Sequence, residues 1–390
     1  PMNILFRYAQ GPPIIFSLLY YNNLNYQQKD KMIGDIRKRL NISIVTVTMN
    51  PVVDRTLKVK DFRAGGTFQV DRSESFAGGK GVNVSRALRA FGIDSTATGM
   101  LAEGGCDVYK YLLDNGEIAH DFLSISGFLR TNVTIVSDSS PKETHLREKG
   151  PVISRSMIRE FEKKIRSLYK EGVIFVFSGS LPAGLPGETY SSLINEAKSA
   201  GALVFFDASG PAFIEGIKAV PLFIKPNARE VEDVLGFFPE PPGLPGQRAS
   251  QEPPGSSGSQ RPPKLHRSSG VSRPTASRDD LFKAARIFHN MGIKNVMITL
   301  GKNGLIYSRG KEIVHCEAVV SGPVNTVGSG DAALAGGIIG IINEFDTADT
   351  ARIACALGSA NTQISGACVF DIEEVEKYYA KTRISVLGTN

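Results

Sequence analysis

The run Asn325-Thr-Val-Gly-Ser-Gly-Asp331-Ala-Ala-Leu-Ala-Gly-Gly337 joins a Gly-rich turn to a long apolar segment. The pattern predicts a strand ending near Val319 and Val320, a tight turn and a buried helix beginning near Asp331. Gly328 and Gly330 lack a Cβ, so the backbone can come close to a ligand. The N–H groups of a first helical turn then form an anion site. Asp331 stands at the mouth of that site, where a carboxylate can take a proton from a hydroxyl. Gly328, Ser329, Gly330 and Asp331 thus offer what phosphoryl transfer needs: donors for the moving charge and a base for the attacking oxygen. An Asp that only caps its helix would give the same residues, so the other motifs must decide.

Five further stretches carry candidate chemistry. In Asn50-Pro-Val-Val-Asp54, the aspartate follows a β-branched strand over 42–48 and offers two oxygens to vicinal hydroxyls; a turn aspartate is the plainer reading. Gly78-Gly79-Lys80-Gly81-Val-Asn83 opens an amphipathic helix and suits a phosphorylated or polyhydroxylated ligand. It is no dinucleotide fingerprint, because Val84 replaces the last glycine, and no Walker A, because glycine follows Lys80. Arg130 opens an alternating strand over 130–136 and has the fork that pairs with phosphate. Ser178-Gly-Ser180-Leu-Pro leaves a continuous apolar strand over 172–178. Lys225-Pro-Asn227-Ala-Arg-Glu230 sets an amide and a carboxylate three apart at a helix start. Such oxygens suit Mg²⁺ held through water, and equally an ordinary helix cap.

These groups need a scaffold that brings separate segments to one edge. Apolar runs at 202–207, 222–227 and 296–300 each end in a polar or Gly-rich loop, the last with Gly301 and Gly304. Helical patterns fall at 108–114, from Asp279-Asp280 to His289, at 354–364 with Asn361, and at 373–381, while Thr67–Asp71 alternates like an exposed strand. Strands alternating with helices predict a doubly wound α/β domain whose polar loops gather at the strands' C-terminal edge.

Composition narrows the function classes. The net charge of +6 is concentrated in residues 1–40 and 239–278, each net +4, so the remaining body carries −2 and is no polyanion surface. No nucleic-acid or membrane partner is expected: the run 14–21 is too short to span a bilayer. Four scattered cysteines without C-x-x-C spacing predict free thiols in a reducing, cytoplasmic setting, and the five histidines show no zinc spacing. Residues 1–40 read as an appended, poorly packed leader. Residues 239–278, with nine prolines and few large apolar side chains, read as a disordered insertion.

Taken together, Asn50-Pro-x-x-Asp54, Gly78-Gly-Lys-Gly-x-Asn83, Ser178-Gly-Ser-Leu-Pro, Lys225-Pro-Asn-x-x-Glu230 and Gly328-Ser-Gly-Asp331 resemble the ribokinase-like (PfkB) carbohydrate kinases. Within them the likeness is greatest to the 1-phosphofructokinase and tagatose-6-phosphate kinase branch. The resemblance implies a three-layer α/β/α Rossmann-like domain over 41–390, with a small β-sheet lid at about 54–75 and 128–148 that often pairs between subunits as a homodimer. It implies ATP as co-substrate, Mg²⁺, and a hexose monophosphate acceptor, foremost fructose 1-phosphate at O6. It implies Asp331 as general base and the 328–330 backbone as anion hole. Asp54, Gly78, Gly79, Lys80, Asn83 and Ser180 would hold the sugar, with Arg130 and Lys80 on its phosphate. Lys225, Asn227 and Glu230 would serve ATP and Mg²⁺, with Thr299, Gly301, Gly304 and Asn361 near the nucleotide. The lid departs from the family pattern at Phe68-Gln-Val-Asp71 and Thr144-His-Leu-Arg147, which bears on the acceptor and leaves the chemistry intact. Two other readings stand beside it: a kinase of tagatose 6-phosphate, a free sugar or a nucleoside, and a non-catalytic sugar-phosphate sensor, which would need neither base nor metal site.

Overall fold

The computed structural model describes residues 42–137, 140–237, 277–319, 322 and 325–389. The leader over 1–40, most of the insertion over 239–278, and Val320 lie outside the described residues. Among the described residues, Cys106, Cys316, Cys355 and Cys368 are all free thiols. No helix there is long and apolar enough to cross a membrane.

The chain begins with β1 (Ile44–Thr48), buried along its whole length, then leaves the core for β2 (Val52–Lys58) and β3 (Arg72–Gly78). It returns through α1 (Lys80–Ala90), β4 (Thr96–Gly104), α2 (Cys106–Asn115) and β5 (His120–Phe128). A second excursion, β6 (Arg130–Ser137) and β7 (Ser140–Arg147), joins the first. There follow α3 (Arg155–Arg166), β8 (Ile174–Ser178), α4 (Thr189–Ser199), β9 (Leu203–Asp207), α5 (Pro211–Ile217), β10 (Phe223–Ile224) and α6 (Ala228–Phe237). The last third runs α7 (Arg278–Asn290), β11 (Asn295–Thr299), β12 (Leu305–Arg309) and β13 (Glu312–Cys316). It closes with α8 (Ser329–Ile342), α9 (Thr347–Ala360), α10 (Ile372–Lys381) and β14 (Ile384–Thr389).

Ten strands make one sheet in the order β14-β13-β12-β11-β10-β9-β8-β1-β4-β5, and β3-β2-β6-β7 make a second, smaller sheet, the lid. From β11 to β5 neighbouring strands are parallel, so helices must cover both faces. Successive residues of β8 supply the two layers. Ile174 and Val176 pack with α1, α8, α9 and α10, while Phe175 and Phe177 pack with α3, α4, α5, α6 and α7. Each fully buried phenylalanine of this kind contributes about 1.5–3 kcal/mol. The result is the expected three-layer α/β/α core.

Several local expectations are corrected. Asp54 is no turn residue: it lies inside β2, because Pro51 ends β1 and the chain turns at once into the lid. Thr67–Asp71 forms no strand, since its side chains are largely solvated and pairing with β2 starts at Arg72. The strand before the Gly-rich loop ends at Cys316, not near Val319, and α8 begins at Ser329, ahead of Asp331. Ser277, not Asp279, caps α7 by accepting the N–H of Asp280, so this helix cap falls inside the span read as a disordered insertion. The helix placed at 354–364 is α9, which ends at Ala360, and Asn361–Gln363 form a separate 3₁₀ turn. The antiparallel edge β12-β13-β14 was not anticipated: its strands are five or six residues long and carry no turn motif that the sequence reading used.

Candidate active site

Asp331 is the third residue of α8, and Gly328 caps that helix with φ 86°, a left-handed angle that suits glycine. A Cβ on Gly330 would stand 3.3 Å from Lys225 Nζ, so any side chain there crowds the mouth of the loop. The first helical bond runs from the Ala332 N–H to the Gly328 carbonyl at 2.8 Å, so the N–H groups of Gly330 and Asp331 lie ahead of the ladder. Asn83 Nδ2 donates to Asp331 Oδ2 at 2.8 Å, and Arg86 Nη1 donates to Asn83 Oδ1 at 2.9 Å, so two side chains of α1 fix the carboxylate from behind. Burial pushes the Asp331 carboxyl up to about 6, against the opposing field of Lys80.

Asp207, at the end of β9, was not singled out from the sequence and proves central. It is fully buried between two ammonium groups: Lys80 Nζ lies 3.0 Å from Oδ1 and Lys225 Nζ 3.1 Å from Oδ2. Burial alone would raise its carboxyl, yet Lys225 and Lys80 hold it below the ordinary carboxylate range. Burial likewise disfavours the charged Lys80, but Asp207, Asp331 and Glu230 keep its ammonium above the usual lysine value. The three groups together carry one net positive charge beside the Gly-rich loop. The available signal was position, an aspartate closing an apolar strand at the ligand-binding edge.

The Asn227 and Glu230 pair is built first as a helix cap. Asn227 Oδ1 accepts the N–H groups of Arg229 (2.9 Å) and Glu230 (3.0 Å), and Glu230 Oε2 accepts the Asn227 N–H (2.8 Å). Both lone-pair positions of the amide oxygen are thereby engaged, which leaves Glu230 Oε1 as the free donor of the pair. No group of three His, Cys, Asp or Glu side chains placed to hold a metal ion is present among the described residues. This donor set fits a hydrated Mg²⁺ arriving with phosphates, reached through Glu230, and does not fit a dehydrated protein cage.

Behind the loop lies a mainly apolar cavity of about 280 Å³, lined by Thr299, Gly301, Gly304, Ser329, Gly330 and Cys355 among others. Asn361 does not line it. Its fully buried side chain donates from Nδ2 to the Val327 carbonyl and to Ser329 Oγ, each at 2.9 Å, and accepts the Cys368 N–H. Asn361 therefore braces the loop and touches the cavity only through it.

In front of the loop, Asp331 shares a cleft of about 480 Å³ with Asp54, Gly79, Lys80, Asn83, Arg130 and Ser180. Gly78 lies beneath Asp54, where a Cβ would come within 2.0 Å of Oδ2. Asn132 Nδ2 donates to Asp54 Oδ1 at 2.8 Å, and Arg147 Nη1 lies 3.7 Å from the same oxygen. Arg130 is partly committed, donating from Nη2 to the Asn50 carbonyl (2.8 Å) and from Nε to that of Pro51 (3.3 Å). Asn50 Oδ1, Asn132 Oδ1 and Ser178 Oγ are buried at this cleft without a partner among the described residues. A hydroxyl-bearing ligand or bound water would satisfy such groups. Asn132 and Arg147 had not been read as site residues, because only the pairing of β6 with β2 and β7 brings them beside Asp54.

Known proteins resemble this chain in both sequence and fold. The chain is 26% identical over 348 residues to the 1-phosphofructokinase of Borreliella burgdorferi, covering 89% of this chain and 100% of that protein. It is 26% identical over 344 residues to that of Vibrio cholerae, covering 88% and 97%. The crystal structure of phosphofructokinase-2 from Escherichia coli in complex with fructose-6-phosphate superposes with a TM-score of 0.71 at 22% identity, covering 87% of this chain and 99% of that one. A family model described as pfkB family carbohydrate kinase matches residues 41–241 and 266–374. By that match the chain belongs to the pfkB family of carbohydrate kinases, phosphotransferases with an alcohol group as acceptor.

Proposed function

We propose that this kinase transfers the γ-phosphoryl group of ATP to O6 of fructose 1-phosphate. The observation that carries the reading is Asp331: a buried carboxylate, raised to about 6, held by Asn83 at the start of α8 and facing the polar cleft. In its ionised form Asp331 takes the proton of the attacking hydroxyl as that oxygen bonds to the γ-phosphorus and the bond to the β-γ bridging oxygen breaks. The N–H groups ahead of the α8 ladder and the Lys80–Asp207–Lys225 surplus stabilise the charge on the moving group. The apolar cavity beyond the loop receives the nucleotide, and Asp54, Asn132 and Asn83 orient the sugar hydroxyls. Mg²⁺ entering with the phosphates supplies further charge neutralisation, with Glu230 the residue to hold it through water.

The phosphorylated acceptor is supported by the named relatives and by the cationic side chains of the cleft. The test is ADP release from Mg·ATP against fructose 1-phosphate, tagatose 6-phosphate, fructose 6-phosphate, fructose and ribose. A preference of at least tenfold in kcat/KM for fructose 1-phosphate is expected. Preference for fructose or ribose would overturn the phosphorylated acceptor, and absence of turnover by folded protein would overturn the kinase reading of this site.

A further inference from the structure

The lid sheet places one residue from each of three strands in a single row. Asp54 of β2 pairs with Asn132 of β6, and Asn132 pairs with Arg147 of β7. Residues in register point to the same face, so all three look into the cleft, and Arg130, two places before Asn132, shares that face. The other cations of the cleft are engaged. Lys80 and Lys225 share Asp207, and Arg130 spends two of its three nitrogens on the carbonyls of Asn50 and Pro51. Arg147 differs: its one ion pair among the described residues is with Asp54 at 3.7 Å, and its side chain is 48% exposed. It also stands within electrostatic range of Arg130, so two guanidinium groups face one carboxylate. A planar fork with open donors beside an uncompensated charge is the arrangement that binds a phosphate monoester.

We infer that Arg147 anchors the phosphate already carried by the acceptor, and so sets the preference for a phosphorylated over a free sugar. This rests on the kinase reading above. It assigns the phosphate to the lid's far strand rather than to Lys80, which Asp207 holds.

The test is steady-state kinetics of the full-length enzyme and of Arg147→Ala, Arg147→Gln and Arg147→Lys, with thermal unfolding as a check of folding. Loss of one charge-assisted phosphate contact is expected to raise KM for fructose 1-phosphate about tenfold to a hundredfold in the Ala and Gln variants. The turnover number should change far less, KM for Mg·ATP should hold, and lysine should recover part of the loss that glutamine does not. A KM within twofold of the unmodified enzyme in Arg147→Ala would overturn the inference. So would equal behaviour of the Lys and Gln variants, which would reduce Arg147 to a positioning residue acting through Asp54. Failure of the unmodified enzyme itself to turn over any phosphorylated ketohexose is a separate result, and it would remove the function reading together with the inference.

Discussion

The core wall and the lid wall of the cleft are assembled differently. On the core wall the groups assigned to chemistry come in short runs: the Gly-rich loop with Asp331, Lys80 with Asn83, and Asn227 with Glu230. Each run opens a helix, so its geometry follows from the local backbone. On the lid wall, Asp54, Asn132 and Arg147 are up to 93 positions apart in the chain and meet only through strand register. The core wall is buried and rigidly braced, by Asn361 behind the loop and Arg86 behind Asn83. On the lid wall Asn132 is buried, but Arg147 at its far strand is about half exposed. On the proposed reading the base and its anion loop are written in one local segment, whereas acceptor choice is written in a non-local pairing that can change one side chain at a time.

Mutating the two walls sharpens this contrast. The largest effect is expected from Asp331→Asn, which removes the base and keeps the shape: kcat should fall about 10²–10⁴-fold with folding retained. If Asp54→Asn lowered kcat as far while leaving KM for the sugar unchanged, the division between the walls would collapse. Asp207→Asn comes next, because it leaves two lysines facing each other without their carboxylate. Urea unfolding should then show a loss of about 3–5 kcal/mol. The pH profile separates the walls without mutation. With a carboxyl at about 6 that must be ionised to act, kcat/KM should fall about tenfold per pH unit below that value and level off above it. A lower limb near the ordinary carboxylate value would remove Asp331 from the role. The smallest effect is expected from Asn361→Ala. It frees the loop from Val327 and Ser329 without touching a reactant, so kcat should drop by roughly fivefold, as for the loss of about 1 kcal/mol of preorganisation.

The same contrast explains what was legible before the fold was known. The parallel core was readable because β1 is a β-branched run and β8 a largely apolar one, each ended by a polar or Gly-rich loop. The Gly-rich loop and the helix it opens were readable because glycines and an aspartate precede a long apolar run, whereas the role of Asp331 needed the other motifs beside it. Asp207 was passed over because its role depends on two lysines brought from other segments. Asn227 was assigned a metal because the spacing that makes a capping box also sets oxygens side by side. Arg147 was visible only as a departure from a pattern, since register cannot be read from one strand.

The sheet order has a consequence for synthesis. β1, the first strand, ends in the interior between β4 and β8, and β8 is completed only at residue 178. As the chain emerges from the ribosome, a strand destined for full burial therefore waits with one edge open while some 130 residues are added. Such long-range parallel pairing is slow and leaves partly folded chains prone to association. Refolding from denaturant should accordingly be slow and concentration-sensitive, and soluble yield should rise when synthesis is slowed or chaperones are supplied.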